Sequence, residues 1–282
     1  MSRLNHLLGV SFVGLDAIDF CQSQFTSNLH TNNDENHWYP SAWCASNGLV
    51  LATLLYRVRQ ERVDCLFLAS ETPSILARLK PFMIGRQVSV TDPVSVYGHF
   101  GPSESPTLAF DADRSVLIDD GSLGFADQAS PKDASLEANW REQDILCAMA
   151  WLPNSLAQQF LPQSLGLEQN GGLSYQKGCY PGQEVIAKVH YRGHVKRQLV
   201  IMSGNDLHHL KAGMNLFSTG KVSQSENRTA DAWVIDAFGS YALAVLSERV
   251  TEGESLQDGH GEFTISQWHF VKTKPVHTSD PR

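Results

Sequence analysis

Apolar positions in this chain fall mostly into short runs of four to eight residues, with few stretches of sustained helical periodicity. Leu7–Val13 is apolar enough for a strand. Gly14-Leu15-Asp16 then opens a helix with Asp16 as N-cap, in which Ala17, Phe20, Cys21 and Gln24 recur at helical spacing. Phe20 and Cys21 are expected to face the core. Asn47-Gly48, a strong hairpin-turn pair, leads into a strand at Leu49–Tyr56, and Val63–Ala69 reads as a second. Thr72-Pro73 starts a helix to Leu79, with Thr72 as cap and Pro73 in its first position. Gln87–Thr91 and Val94–Phe100 read as further strands, so residues 51–130 form an α+β lobe with antiparallel pairing. Pro102–Pro106 and Asp111–Pro131, rich in Gly, Ser, Asp and Pro, read as loops. Trp140–Trp151 regains helical periodicity. After Arg197 come short β-rich runs, Leu199–Met202, Ala232–Ala237, Tyr241–Leu246 and Phe263–Phe270, spaced as in a small antiparallel barrel. The tail from Lys272 should fray.

The chain has 282 residues, enough for two or three lobes, and 42% of them are hydrophobic, as in ordinary globular proteins. No apolar run approaches the roughly 20 residues needed to span a bilayer. The start, Met1-Ser2-Arg3-Leu4-Asn5-His6, lacks a signal-peptide pattern, so a soluble cytoplasmic protein is expected. Cysteines stand at 21, 44, 65, 147 and 179, an odd set without a C-x-x-C pair, which fits reduced thiols rather than a disulfide scaffold. The net charge of −8 argues against an extended nucleic-acid surface. Locally the sign reverses: Lys177, Lys188, Arg192, Lys196 and Arg197 are opposed only by Glu184. Such a run is either a solvated face or a site for one small anion.

That basic region begins in the most chemically dense stretch of the chain, Lys177-Gly178-Cys179-Tyr180-Pro181-Gly182-Gln183-Glu184. An amine, a thiol, a phenol, an amide and a carboxylate occupy eight positions. Gly178 and Gly182 admit backbone conformations or approaches that a Cβ would block. Pro181 suits the first turn of a helix that runs through Gln183–Val189, with Glu184 near its positive end. Cys179 is thus expected in a turn before a helix N-terminus, two residues after a lysine, a setting that favours thiolate chemistry. The other reading is a structural turn around a buried cysteine.

K-G-C-Y-x-G-Q-E resembles the signature of the YgfZ family, folate-binding proteins related to the T protein (aminomethyltransferase) of the glycine cleavage system. The flanks match too, from Phe160-Leu161-Pro162-Gln163 through Asn170–Tyr175 on one side, and Ala187–Gly193 to Lys196-Arg197 on the other. Gln22–Asn28 lies where the family has Gln-Gly-Gln-x-Thr followed by an acid, but here Ser23 replaces the glycine and Asn28 the acid. The family often has Lys or Arg where this chain has Leu49.

The resemblance implies an α+β, T-protein-like architecture with ferredoxin-like α/β lobes and a C-terminal antiparallel β-barrel. Residues 1–194 would form the folate-binding region, as a lobe of 1–50 plus 137–194 with an inserted lobe at 51–136, and 195–282 the barrel. It implies tetrahydrofolate or a derivative as cofactor, and a role in maturing or repairing iron–sulfur enzymes that affects tRNA modification. A folate-dependent aminomethyl or one-carbon transferase is the alternative. Iron–sulfur proteins or their assembly machinery are the implied partners. The acidic charge disfavours direct tRNA binding. By the same resemblance Cys179 would be the functional thiol and Lys177 its activating amine, with Trp140, Tyr180, Gln183, Glu184 and Arg192 contacting folate. Trp140 has a second reading as an ordinary buried tryptophan. His190 and His194, four apart, could imitate a zinc site with Cys179, but Gly193 interrupts the helix and no fourth ligand is near, so no metal is expected. No G-x-S-x-G, H-E-x-x-H or Walker loop occurs.

Overall fold

The structure is a computed structural model. It describes residues 1–101, 106–108, 111–119, 134–204, 207, 209–219, 229–251, 253–258, 264–265 and 267–271.

Eight strands build the first sheet: β1 (Ser2–Val13), β2 (His37–Cys44), β3 (Val50–Arg59), β4 (Arg62–Leu68), β5 (Ser89–Val90), β6 (Val94–Phe100), β7 (Thr107–Leu108) and β8 (Asp111–Ile118). Their order is β4-β3-β2-β7-β8-β6-β1-β5, and β4 also pairs with β1, which closes seven of them into a ring. All pairings are antiparallel except β2 with β7. Closure depends on the length of β1. Leu7–Val13 pairs with β4 on one edge, while Ser2, Arg3, Leu8 and Gly9 pair with β6 on the other. An irregularity between Arg3 and Leu8 shifts the register. It lets Leu4 and Leu7 face the same core although they differ in parity, while Val10 and Phe12 face the opposite one.

Helix α1 (Ala17–Gln24) and α2 (Thr72–Leu79) cover one face of this sheet. Asp16 is the N-cap of α1, but its carboxylate accepts from Gln87 N at 2.6 Å rather than from its own helix. Glu71, not Thr72, stands at the cap of α2; the Thr72 hydroxyl donates to the Leu68 carbonyl at 2.8 Å. Helix α3 (Ala134–Leu146) lies six residues earlier than Trp140–Trp151 periodicity implies and packs on β1 and the second sheet. The stretch Asp111–Ile118, expected as loop, is β8. Its buried Arg114 hides the alternation, because it is neutralised by Asp111 at 2.7 Å and Asp144 at 2.6 Å.

Helix α4 (Gln183–Arg192) leads into the second sheet, made of β9 (Arg197–Ser203), β10 (Asn215–Ser218), β11 (Ala232–Phe238), β12 (Tyr241–Ser247), β13 (Leu256–Asp258), β14 (Thr264–Ile265) and β15 (Gln267–Phe270). The order is β14-β13-β10-β11-β12-β9-β15. The sheet is antiparallel, and among the described residues no pairing joins β14 to β15 to close it into the expected C-terminal barrel. Its outermost strands span two and four residues. Both faces are buried: Val200, Met202, Val234 and Ala244 on one side, Leu199, Ile201, Ile235 and Val245 on the other. The latter side shares its core with Tyr180 and Ile186 of the K-G-C-Y region. The lobe boundary expected at 50/51 falls inside β3, after its first residue. Of the expected loops, 102–105 and 120–131 lie outside the described residues, as do the start of the last strand at 263 and the tail from 272.

Candidate functional site

Two glycine turns meet at the head of α4. Gly182 is the N-cap in the left-handed region (φ 80°), so Pro181 lies outside the helix, before the cap rather than in the first turn. A Cβ on Gly182 would stand 2.4 Å from Gly48 Cα and 2.5 Å from Ala45 O. Gly48, itself at φ 81°, occupies the turn between β2 and β3. This contact needs glycine at position 182 on both counts. It fixes the start of α4 against the hairpin, and Ile186, fully buried, continues the anchorage one turn later.

A second anchor is Lys177. Its Nζ donates to the carbonyls of Gln22, Phe25 and Ser27 at 2.5, 2.6 and 2.7 Å. Those carbonyls belong to the end of α1 and the segment after it, where C-terminal carbonyls lack helical partners. The same segment is stitched to the approach to Lys177: Thr26 Oγ1 donates to Gly172 O at 2.6 Å and Ser174 N to Thr26 O at 2.9 Å. Gln22 closes it, donating to Asn28 Oδ1 at 3.0 Å and accepting from Leu29 N at 2.8 Å. Asn28 therefore serves as a clasp. Burial pulls the Lys177 pKa from 10.5 down to about 7, while three carbonyl acceptors favour its ammonium form.

Between the anchors, Cys179 is exposed; Cys21, Cys44 and Cys65 are buried and Cys147 is half-buried. A Cβ added at neighbouring Gly178 would meet nothing within 4 Å. Tyr180 turns inward beneath Lys177, whose Nζ lies 5.2 Å from the ring centre, and burial raises its pKa. Gln183 donates to the Lys177 carbonyl at 3.3 Å. Glu184 and Arg192 are exposed at the two ends of α4. The structure thus gathers Lys177, Cys179, Tyr180, Gln183 and Glu184 at one turn.

Trp140 is not among them. It is 1% exposed and belongs to the core with Leu4, Val96 and Trp151. Arg114 lies 4.7 Å over its ring, Phe100 is 5.5 Å away, and a Cβ on Gly98 would come within 2.7 Å of it. An enclosed indole of this kind offers no open face for a pterin. His190 stacks on Tyr175 at 3.9 Å and pairs with Glu168 at 2.8 Å, while His194 pairs with Glu248 at 3.0 Å. Among the described residues, no group of three or more His, Cys, Asp or Glu could hold a metal ion.

No family model matches the chain. Its relatives do. The tRNA-modifying protein YgfZ of Pectobacterium carotovorum subsp. carotovorum is 27% identical over 287 residues, covering 88% of this chain and 86% of that protein. The tRNA-modifying protein YgfZ of Edwardsiella ictaluri is 24% identical over 302 residues, covering 94% and 91%. Over most of its length the chain is thus similar to proteins named tRNA-modifying protein YgfZ. In fold it resembles the glycine cleavage system aminomethyltransferase T of Bartonella henselae, with a TM-score of 0.63 over 97% of this chain and 85% of that one at 14% identity.

The sequence pattern did not single out Gln22, Phe25 and Ser27 as contributors to the site, because they contribute backbone carbonyls, which carry no residue signature. It also missed two buried acceptors without partners, Gln24 Oε1 and Gln163 Oε1. Gln163 spends its amide hydrogens on Tyr175 Oη at 3.2 Å and Ile186 O at 3.0 Å. Pro162-Gln163 had stood out only as part of the matching flank. Among the described residues no helix is long and apolar enough to cross a membrane.

Proposed function

We propose that this protein binds tetrahydrofolate, or a derivative, and assists the maturation or repair of iron–sulfur enzymes in the cytoplasm, thereby affecting tRNA modification. The observation that carries this reading is the construction around Cys179. Two independent anchors, the Gly182–Gly48 contact and the three-carbonyl grip of Lys177, hold an exposed thiol at a helix start. Packing alone has no use for a thiol in that position. Relatives named for tRNA modification and a fold shared with a glycine cleavage aminomethyltransferase support the same reading.

The residues present fit a folate. Gln24 Oε1 and Gln163 Oε1 are buried acceptors that lack donors, which a reduced pterin supplies. Arg192 and Lys188, exposed on α4, suit its glutamate carboxylates. Tyr180, Gln183 and Glu184 stand beside them, whereas Trp140 acts through packing. Cys179 meets the client, and Lys177 sets the position from which it does so.

Titration with tetrahydrofolate should quench tryptophan fluorescence saturably. Cys179→Ser should retain that binding yet fail to restore cluster-enzyme activity in a deletion strain. Full restoration by the serine variant would return Cys179 to a packing role. The fold of aminomethyltransferase T favours a second reading, a folate-dependent aminomethyl transferase. The helper reading expects no ammonia or methylene-tetrahydrofolate from an aminomethyl-loaded carrier protein; release above background selects the transferase.

A further inference from the structure

Exposed apolar side chains gather at one corner of the first sheet. Among the described residues eight large apolar side chains are exposed, and Val13, Leu15, Phe82 and Ile84 are four of them, at 36%, 66%, 51% and 84%. Two backbone segments bring them together. The chain leaving β1 docks on the segment after α2: Val13 pairs with Ser89, Asp16 N donates to Gln87 O at 3.1 Å, and Asp16 Oδ2 accepts from Gln87 N at 2.6 Å. A Cβ on Gly14 would stand 2.2 Å from Gln87 O, so the two backbones touch at that point, with Leu15 beside the joint. Just before Gln87, the turn Met83–Arg86 closes through a bond from Arg86 N to Met83 O at 3.1 Å. Met83 packs inward on the core that holds Phe12 and Phe20, whereas Phe82 and Ile84 on either side of it are exposed. Gly85, at φ 82°, would meet nothing within 4 Å with a Cβ added, so the tip of the turn is open.

A monomer rarely leaves side chains of this kind grouped in water. The charges around them narrow the choice of cover. Lys80 and Arg86, both exposed, flank the turn that carries Phe82 and Ile84. Across the joint, exposed Glu61 adjoins Leu15, since Gly14 N donates to Glu61 O at 3.1 Å. The patch is thus basic on one side, acidic on the other and apolar between. An anionic bilayer or a wholly acidic partner would be repelled by the acidic side. A copy of the same patch, turned about a two-fold axis, sets base against acid twice and apolar centre against apolar centre. The net charge of −8 opposes the approach of two copies. At about 0.15 M salt, however, charges farther apart than about 8 Å are largely screened, so the rim pairs decide.

We propose that this corner is a self-complementary interface whose occupant is a second copy of this chain. Leu15, Phe82 and Ile84 pack across the two-fold axis, and Arg86 of each copy lies opposite Glu61 of the other. A centre of so few side chains makes a small contact, so the dimer is weak, with micromolar dissociation. The pairing leaves the thiol site open. Helix α1, eight residues and about 12 Å long, separates this corner from the carbonyls that Lys177 grips at its far end.

The experiment is sedimentation velocity on the full chain from about 1 to about 200 μM, a range that brackets micromolar dissociation. The wild type should pass from monomer to dimer within it. Ile84→Ser should weaken the dimer at least about tenfold, because that side chain is covered in both copies. Glu61→Lys and Arg86→Glu, each alone, should be monomeric, since like charges then meet twice. Mixed in equal amounts, these two variants should form a dimer again: the two reversed charges face each other, and so do the two native ones. The substituted side chains are all exposed, so the variants should melt as the wild type does, and melting is measured alongside. A wild type that stays monomeric throughout overturns the proposal, as does a dimer that any of the three variants leaves intact, or a mixture that does not recover. If instead a monomeric wild type cosediments with vesicles of phosphatidylcholine and phosphatidylglycerol and Ile84→Ser does not, the patch is a lipid contact and the proposal falls.

Discussion

Gly182 is where the demands on a single residue are strictest. Its φ of 80° and the 2.4 Å approach of Gly48 Cα both exclude a side chain. Gly182→Ala should therefore cost at least about 2 kcal/mol in denaturant unfolding. Gly178→Ala, in the same motif but with open space around it, should stay within about 0.5 kcal/mol. Equal costs at the two positions would contradict the anchoring role. Lys177→Met should loosen the segment after α1, because three carbonyls lose a common donor; iodoacetamide should then modify Cys179 at a changed rate with the rest of the fold intact. The types of these residues were legible in the sequence, since amine, thiol and glycine at close spacing announce a site. Their partners were not. The carbonyls that Lys177 grips lie 150 or more positions away, and any residue could have supplied them.

At the level of elements, helix α3 shows how a buried charge network escapes a pattern search. Asn5 of β1 donates through both N and Nδ2 to the Glu137 carboxylate, each at 2.8 Å. Asp144, one side of the same helix, accepts from Arg114 at 2.6 Å and from Trp151 Nε1 at 2.8 Å. Burial pushes the Glu137 pKa up, but the bonds from Asn5, with His6 beside it, outweigh burial and hold the value below normal. A carboxylate depressed in this way stabilises the fold fully above the usual glutamate value, about 4.3, and loses that contribution as pH falls through the folded value. Urea unfolding from pH 6 down to pH 3 should show the wild type losing stability more steeply than Glu137→Gln. Parallel curves would remove Glu137 from the acid response. Strand β8 was misread for a related reason. Asp111, Asp113 and Ser115 look like loop residues until Arg114 is seen buried between Asp111 and Asp144. Helix α4 and strand β6, by contrast, were plain in the sequence, because their apolar positions are local and free of charge.

Across the whole molecule, the closure that is seen lies where the pattern did not announce it. The N-terminal strands form a ring, whereas among the described residues no pairing joins β14 to β15. Run lengths alone give no pairing partner, and the residues that join β1 to both β4 and β6 are ordinary apolar ones. The ring leaves β1 with neighbours on both edges, whereas among the described residues β14 and β15 each have a partner on one edge only. In hydrogen–deuterium exchange the amides of β1 and β4 should be among the slowest, and those of β14 and β15 should exchange first. Fast exchange in β1 would mean that the ring opens readily. The division of cores agrees with this expectation: the ring has a cluster on each of its faces, and the second sheet depends on the K-G-C-Y region for one of its own.

The grip of Lys177 on residues 22–27 has a consequence for biosynthesis. A ribosome delivers the end of α1 early and its cation some 150 residues later. The ring strands, all complete by residue 118, can pair while the remainder is still being made. The carbonyls of Gln22, Phe25 and Ser27 wait in water until position 177 emerges. A nascent or truncated chain can therefore own a folded first sheet and still lack the held thiol, so that the thiol's setting matures only after position 177 has been made.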